Sequence, residues 1–518
     1  MKSGRDGQHR LSRRDVFKLT AGAAAAASLR GGPGMAKEAS KRPNILFLMA
    51  DQFRGDCLGV DGHPVIRTPN FDRIAREGAY FSAAYSCTPT CTPARAALLT
   101  GLGPWRNGML GYGRVAEQYP IEMPQALRDA GYYTTGIGKM HWYPQRSLHG
   151  FHRTILDESS RSETPDFLSD YRCWFRSMAP GKEYDATGVG WNDYPSRAYV
   201  HPEELHPTRW TGGVATRFIE DYDRAEPFYL KVSFARPHSP YDPPKRWMDF
   251  YKDKPIPKAH VGDWAHRYRR RSDDTNHLWH GDLGEEQVRS SRQGYYGNIS
   301  FIDEQIGRIL EALEARGMLD NTLILFTADH GDMTGDHHMW RKSYPYEASA
   351  RIPMLVRWPK GLVSKDRGQT IPQPVELRDV LPTFLDAAGA TPSIELDGAS
   401  MLDLCRGHTD GWRECIDLEH DICYGKKNHW NALTDGRTKY IYYAFDGEEQ
   451  LFDLEKDPGE EHDLAQDPVH RKRLAQWRQR LIRHLEERGP EWVKAGKLVP
   501  RPKRHLYSPN HPKPVEKS

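Results

Sequence analysis

The sequence predicts an α/β fold with a large, mostly parallel mixed sheet flanked by helices and a smaller C-terminal α+β subdomain containing an antiparallel sheet. Three observations predict it. The runs Asn44 to Ala50 and Thr322 to Thr327 are apolar throughout, as in parallel strands buried on both faces. Strand-like and helix-like segments alternate between and around them, the pattern of a doubly covered sheet. From about residue 412 the pattern changes to short strands joined by an Asp-Gly turn. A chain of 518 residues has room for one large domain and a smaller one. The expected boundaries are 1–36 for an export signal, 37–411 for the catalytic domain, 412–499 for the subdomain and 500–518 for an extended tail.

The elements follow in order. Ser12-Arg13-Arg14-Asp15-Val16-Phe17-Lys18 resembles a twin-arginine export signal, with Val16 where Phe is usual. An alanine-rich stretch from Ala21 to Leu29 follows, far too short to span a bilayer, and Gly34-Met35-Ala36 offers a cleavage site. A basic disordered tail is the plainer alternative. Export predicts a periplasmic or secreted protein. Residues 37–42 are a polar lead-in to the first strand. Thr68 to Gly78 reads as a helix, with Thr68 as its cap, Pro69 in its first turn and Gly78 at its end. Cys91-Thr92-Pro93-Ala94-Arg95-Ala96-Ala97-Leu98-Leu99-Thr100-Gly101 reads as a second, with Pro93 in the first turn and a strong helix-forming run behind it. Pro124 to Ala130 is a short helix. Tyr132 to Gly138 and Phe228 to Phe234 are strands, and Ile302 to Glu314 has helical periodicity. Residues 145–215 and 243–290 are polar, with little periodicity, and read as long insertions over a site or as solvated loops. Trp430 to Tyr443 makes two strands around Asp435-Gly436. Leu451 to Leu454 is another strand, and His470 to Arg488 a charged amphipathic helix. The tail beyond Val499 is rich in Pro and Lys.

Charge narrows the partners. Residues 1–36 carry seven of the 73 Lys and Arg and two of the 70 Asp and Glu, so the remainder is close to neutral. Nothing in that balance supports a nucleic-acid or anionic-membrane surface, and no later segment is long enough to span a membrane. Any anion selectivity must be local. An exported chain may carry disulfides, and a Cys405–Cys415 or Cys415–Cys423 bridge is the expectation.

The chemistry concentrates at a few positions. Cys91 sits at a helix N-terminus with Arg95 one turn on, a place to hold an oxyanion. By itself it reads either as a low-pKa thiolate nucleophile or as a buried structural cysteine. The two apolar strands run into Asp51-Gln52 and Asp329-His330-Gly331-Asp332, at strand ends where α/β sheets place sites. Singly, each pair is a turn or a cap. Gly138-Lys139-Met140-His141, Arg236-Pro237-His238-Ser239-Pro240 and Trp340-Arg341-Lys342-Ser343 add basic groups; each alone is a surface charge or a satisfied histidine.

Together these segments resemble the type I, formylglycine-dependent sulfatases of the alkaline-phosphatase-like superfamily. The C-x-P-x-R segment at Cys91 and the order of the flanking pairs carry the resemblance over residues 43–360, and Leu451 to Glu460 resembles the family's C-terminal strand motif. It implies that Cys91 is converted to formylglycine (3-oxoalanine) by a formylglycine-generating enzyme. It further implies that Asp51, Gln52, Asp329, His330 and residue 91 hold a divalent cation. Lys139 and Lys342 would then neutralise sulfate, Arg95 and His141 hold the aldehyde hydrate, and His238 acts as general acid. Gln52 and His330 depart from the commonest pattern, which has Asp and Asn there, and resemble some bacterial sulfatases and phosphonate monoester hydrolases. A hard, oxygen-rich site prefers Ca²⁺ or Mg²⁺, with Ca²⁺ first, while imidazole better tolerates Mn²⁺ or Zn²⁺. Trp174, Trp191, Trp210, Trp247 and Trp264 lie in the two insertions and suit a sulfated carbohydrate as substrate. The alternatives are an arylsulfatase, a phosphonate or phosphate diester hydrolase on the same scaffold, and a non-catalytic binder of sulfated glycans.

Overall fold

The computed structural model of the protein describes residues 42–159, 161–164, 166–273 and 278–514. The expected export signal at 1–36 lies outside them. An eight-stranded sheet organises the rest. In chain order its strands are β1 (Asn44–Asp51), β2 (Ala79–Phe81), β3 (Tyr133–Gly138), β4 (Arg153–Leu156), β5 (Phe228–Pro237), β6 (Thr322–Ala328), β7 (Met354–Arg357) and β8 (Gln369–Ile371). Their order across the sheet is β4-β3-β5-β1-β6-β7-β2-β8. The pairs from β4 to β6 are parallel, and β7 runs antiparallel to both neighbours. Every residue of β1 after Asn44, and all of β5 and β6, is buried, as uniform apolar runs require.

Register sets up the site. Ala50 of β1 lies opposite Ala328 of β6, so Asp51 and Asp329 leave the sheet side by side. Gly138 of β3 lies opposite Ser233 of β5, which brings Lys139 out at the same edge. Two sets of helices cover the sheet. Pro69–Arg76, Pro207–Glu220, Lys245–Lys252 and Glu285–Ala315 pack together, and Cys91–Thr100, Met123–Asp129 and Val380–Ala388 form the other set. A second, antiparallel sheet follows: Ile416–His420, Trp430–Thr434, Thr438–Tyr443 and Glu449–Asp453, in that order, with the helix Arg471–Leu485 against it. Asp435 Oδ1 accepts the N–H groups of Arg437 and Thr438 to close the hairpin at 2.9 and 2.7 Å. Among the described residues no helix is long and apolar enough to cross a membrane.

Several local expectations are corrected. Thr68 does not cap its helix; its hydroxyl accepts from Gly59 N–H at 2.8 Å instead. That helix ends at Arg76, and Gly78 is required by packing, because a Cβ there would lie 2.0 Å from the Val356 carbonyl oxygen. The helix expected from Ile302 starts at Glu285 and runs 31 residues. Its first half carries Gly294 and Gly297, where a Cβ would meet Ser196 at 2.5 Å and Pro243 at 2.6 Å, so close packing replaces the apolar stripe that periodicity detects. Within 145–215 the structure forms β4 and helices Asp170–Met178 and Pro207–Glu220. The latter was masked by Gly212, which is pressed against Gln305. All seven cysteines are free. Cys405 is in the main core, Cys415 packs in the C-terminal cluster and Cys423 neighbours Ser343, so neither expected bridge forms.

Candidate active site

The helix that opens at Cys91 is buried along its whole length and stops at Gly101, whose φ of 68° is a left-handed cap. Its first residue points at the carboxyl ends of β1 and β6. One ligand atom each from Asp51, Cys91, Asp329 and His330 lie within 4.8 Å of one another. Cys91 Sγ is 3.2 Å from His330 Nε2 and 4.0 Å from Asp51 Oδ1. His330 Nδ1 sits 2.9 Å from the Gly331 carbonyl and donates to it, which leaves Nε2 bare and aimed at the cluster, the usual second-shell arrangement of a ligating histidine.

Arg95 knits the two strand ends together. Its Nε donates to Asp329 Oδ2 at 2.9 Å, one terminal nitrogen to Asp51 Oδ2 at 2.9 Å, and the other to the Lys139 carbonyl at 2.7 Å. Lys139 Nζ lies 2.7 Å from Asp51 Oδ2. Gln52, at φ 66°, donates its backbone N–H to Asp329 Oδ1 and its side-chain amide to Asp332, and its Oε1 accepts from Lys342 Nζ at 2.6 Å. Lys342 is itself held between Arg341 and Ser343, both at positive φ. Three of these strained residues carry full side chains at the site's rim, where backbone strain commonly collects.

Both ring nitrogens of His141 are buried with no hydrogen-bond partner among the described residues. Such atoms need a polar ligand, and the cluster is where one would sit. The backbone under His141, also at φ 66°, is held by Glu158, whose Oε1 accepts the N–H groups of Met140 and His141 at 2.8 and 2.9 Å. His238 donates its backbone N–H to the Asp51 carbonyl at 3.0 Å, and its Nδ1 lies 2.9 Å from the Ser239 carbonyl. Its ring stacks on Trp191, centroids 3.9 Å apart, and Lys139 Nζ lies 4.6 Å from the same indole.

The electrostatics suit an anion. Burial and Asp51 would raise the Cys91 pKa, but Lys342, His330 and Lys139 outweigh them and bring it to about 6. Burial also opposes ionisation of Asp51, yet Lys139 and Arg95 hold it well below the usual carboxylate range. Burial, with Asp51 adding, pushes Asp329 up. Burial lowers His238 well below 6.5, and Lys342 and Lys139 reinforce it. Two buried carboxylates and a bare imidazole nitrogen form a donor set that fits a divalent cation, with the Gln52 amide oxygen beside them on Lys342.

The structure thus brings together Asp51, Gln52, Cys91, Arg95, Lys139, His141, His238, Asp329, His330 and Lys342. Of the five tryptophans, Trp191 alone contacts these residues among the described ones. Trp174 and Trp210 pack around Tyr171, Trp247 against Tyr251, and Trp264 against Tyr346. Sequence reasoning missed Glu158, whose role is a through-space bond to backbone. It also missed Asp332, which takes bonds from Gln52 and Tyr241 and whose signal was the second acid of the Asp329 segment. His420 was missed too; it reaches from the C-terminal sheet to Thr90, 2.8 Å away, just before the helix Cys91–Thr100.

Comparisons with known proteins find relatives over most of the chain. A family model described as Sulfatase matches residues 43–390, and one described as N-sulphoglucosamine sulphohydrolase, C-terminal, matches residues 335–487. An arylsulfatase of Clostridium perfringens is 39% identical over 473 residues, covering 88% of this chain and 97% of the relative. A choline-sulfatase of Rhizobium meliloti is 32% identical over 445 residues, covering 82% and 83%. Among solved structures, a phosphonate monoester hydrolase of Agrobacterium radiobacter superposes with a TM-score of 0.72 at 26% identity, covering 89% of this chain and all of that one.

Proposed function

The chain belongs to the sulfatase family, and on that premise we propose that it hydrolyses sulfate monoesters of saccharides through a formylglycine made from Cys91. The observation that carries this reading is the cluster of Asp51, Asp329 and His330 around Cys91, with Arg95, Lys139 and Lys342 beside it. Asp51, Gln52, Asp329 and His330 would hold the divalent ion, Ca²⁺ first. When bound, it supplies positive charge to the sulfate oxygens and favours the ionised form of a residue-91 hydroxyl. Cys91 is 2% exposed, so conversion by a formylglycine-generating enzyme precedes folding. Residues 1–36 support export by the twin-arginine route to the periplasm or beyond.

The chain's own residues then divide the work. Lys139 and Lys342 take the nonbridging oxygens of the ester. Arg95 fixes the two carboxylates, and the unpartnered ring of His141 orients the hydrated aldehyde. One hydroxyl of that hydrate attacks sulfur as the ester S–O bond breaks opposite it. The departing alcohol needs a proton. His238 can deliver one only from Nε2, because Nδ1 is committed to Ser239, and it gains that proton when the substrate's charge offsets Lys342 and Lys139. Lys342 stands beside it as the second donor. His141 then takes the proton of the remaining hydroxyl, the carbonyl re-forms, and sulfate leaves.

Peptide mass spectrometry at residue 91 in protein from its native host tests the nucleophile. The aldehyde or its hydrate is expected, and sulfate release is lost in Cys91→Ala. A chelator should abolish turnover and Ca²⁺ restore it. Sulfated saccharides, an aryl sulfate and a matched phosphodiester supplied in one panel test the leaving group. Turnover of the aryl ester alone, which the 39% relative would favour, removes the saccharide. Preference for the phosphodiester moves the reading to a phosphonate or phosphate diester hydrolase. Unmodified Cys91 with glycan binding intact leaves a binder.

A further inference from the structure

The donor atoms gathered at Cys91 make a different metal site while that residue is still a cysteine. Arg95 takes the Oδ2 atoms of Asp51 and Asp329, each at 2.9 Å, which leaves the Oδ1 atoms facing the thiol and the imidazole. Cys91 Sγ lies 3.2 Å from His330 Nε2 and 4.0 Å from Asp51 Oδ1, and His330 Nε2 lies 3.7 Å from Asp329 Oδ1. Bonds of about 2.0–2.3 Å in a tetrahedron set ligand atoms roughly 3.3–3.7 Å apart, close to these separations. The donors are already aimed. The N–H groups of Gln52 and His330 hold Asp329 Oδ1 at 3.0 and 3.1 Å, the Gly331 carbonyl takes His330 Nδ1, and the buried helix Cys91–Thr100 carries the thiol.

Donor chemistry selects the ion. Calcium takes about six to eight oxygens, and the cysteine form offers one oxygen from each of two carboxylates, one nitrogen and one sulfur. The Gln52 amide oxygen is spent on Lys342 Nζ, 2.6 Å away. A thiolate, an imidazole and two carboxylates make a four-coordinate zinc set, and the soft sulfur favours zinc over calcium or magnesium. Both carboxylates are paired with Arg95, and Asp51 with Lys139 as well, so the thiolate supplies negative charge that they have already shared out.

We propose that the unconverted chain binds Zn²⁺ through Asp51, Cys91, Asp329 and His330, and that conversion of Cys91 exchanges this zinc site for a hard-cation site. The zinc site stands on its four ligands alone; the exchange rests on the formylglycine reading above and deepens it. Binding breaks the Cys91 S–H bond, forms a Zn–S bond and releases one proton to solvent, with no change of oxidation state. A chain that folds before conversion keeps its thiol, because Cys91 is 2% exposed, and zinc then caps the sulfur. Conversion removes the one soft donor.

The test uses full chain from a host without a formylglycine-generating enzyme, its Cys91→Ser, Cys91→Ala and Cys173→Ser variants, and converted protein. Cys173 is the exposed cysteine and controls for stray thiol binding. Co²⁺ is the spectroscopic probe, and Zn²⁺ and Ca²⁺ affinities are read by competition with a chromogenic chelator, after melts of each metal-free form confirm folding. The unconverted chain and Cys173→Ser should show a thiolate-to-cobalt charge-transfer band and bind one Zn²⁺. Both Cys91 variants should lose the band and bind Zn²⁺ about a hundredfold more weakly, with Ca²⁺ affinity changed less than about threefold. Converted protein should lack the band, and its preference for Zn²⁺ over Ca²⁺ should fall at least about tenfold. No band in the unconverted chain, a band that survives in the Cys91 variants, or one lost in Cys173→Ser overturns the zinc site. An unchanged metal preference after conversion overturns the exchange while sulfatase activity stands. If converted protein releases no sulfate from any ester, the functional reading fails, and the band and the competition still decide the zinc site.

Discussion

Glu158 is a single side chain on which two groups of the candidate site depend. It accepts two backbone N–H groups under the turn that carries Lys139 and His141, and it keeps His141 in a left-handed conformation. Glu158→Gln preserves an acceptor oxygen and should keep kcat/KM on an aryl sulfate within about threefold. Glu158→Ala leaves two buried N–H groups unmatched, at about 1–3 kcal/mol each, and should cost roughly 10–100-fold in kcat/KM together with a lower melting temperature. Equal losses in both variants would remove the positioning role. Burial, with Asp157 adding, raises the Glu158 pKa from 4.5 to about 7. The folded state therefore holds the proton longer than the unfolded chain, so stability declines as pH rises from about 4.5 to 7 and levels off above. Glu158→Gln should flatten that part of the melting-temperature profile, and an unchanged slope would contradict it.

At the scale of elements, β5 places a lysine in a strand that is buried at every position. Lys231 Nζ lies 5.6 and 5.8 Å from the rings of Phe47 and Trp142. Burial, with Arg95 adding, brings its pKa from 10.5 down to about 7. Between those values the folded lysine is neutral while the unfolded one is charged, so the penalty it imposes is full below about pH 7 and fades as pH rises towards 10.5. Lys231→Met should stabilise the fold by about 2–4 kcal/mol at pH 6 and by much less at pH 10, read from paired thermal melts. A gain independent of pH would mean that packing alone produced it. The same strand marks where the sequence was readable. β1 and β6 announce themselves because both faces are covered, and their polar successors, Asp51 and Asp329, stand out against apolar runs. The helices Pro207–Glu220 and Glu285–Ala315 do not, because glycines and small polar residues make their closest contacts. Site residues that follow a strand could be found by position. Glu158 and His420 could not, because each reaches its partner through space, and nothing in the sequence set Trp191 apart from the other four tryptophans of the insertions.

Across the molecule, the C-terminal segment closes on the helix Cys91–Thr100 from two sides. His420 of the antiparallel sheet meets Thr90, which immediately precedes Cys91. The segment 504–511 runs back along the loop 105–114. Leu110 N–H donates to the Leu506 carbonyl at 3.0 Å, Ser508 N–H to the Gly108 carbonyl at 2.9 Å, and Arg114 N–H to the Tyr507 hydroxyl at 2.9 Å. That loop donates Gly113 N–H to Thr92 Oγ1, within the helix Cys91–Thr100, and sets the Tyr112 ring 6.2 Å from that of His141. The extended tail is therefore a strap that holds the mouth of the site. A chain ending at Val499 keeps the hydrophobic core of the large sheet and should still melt cooperatively. It loses several bonds worth about 1 kcal/mol each, so the loop should loosen and kcat/KM fall roughly 10–100-fold. Tyr507→Ala, which removes the hydroxyl's two bonds to the Arg114 backbone and the ring packed on Gly113, should fall between wild type and the truncated chain. A synthetic peptide of residues 500–514 added in trans should restore part of the truncated chain's activity, since the strap is held by backbone bonds that a free peptide can re-form. Full activity in the truncated chain would show that the strap covers the loop without holding it. A truncated chain that fails to recover with peptide, yet melts like wild type, would place the loss elsewhere.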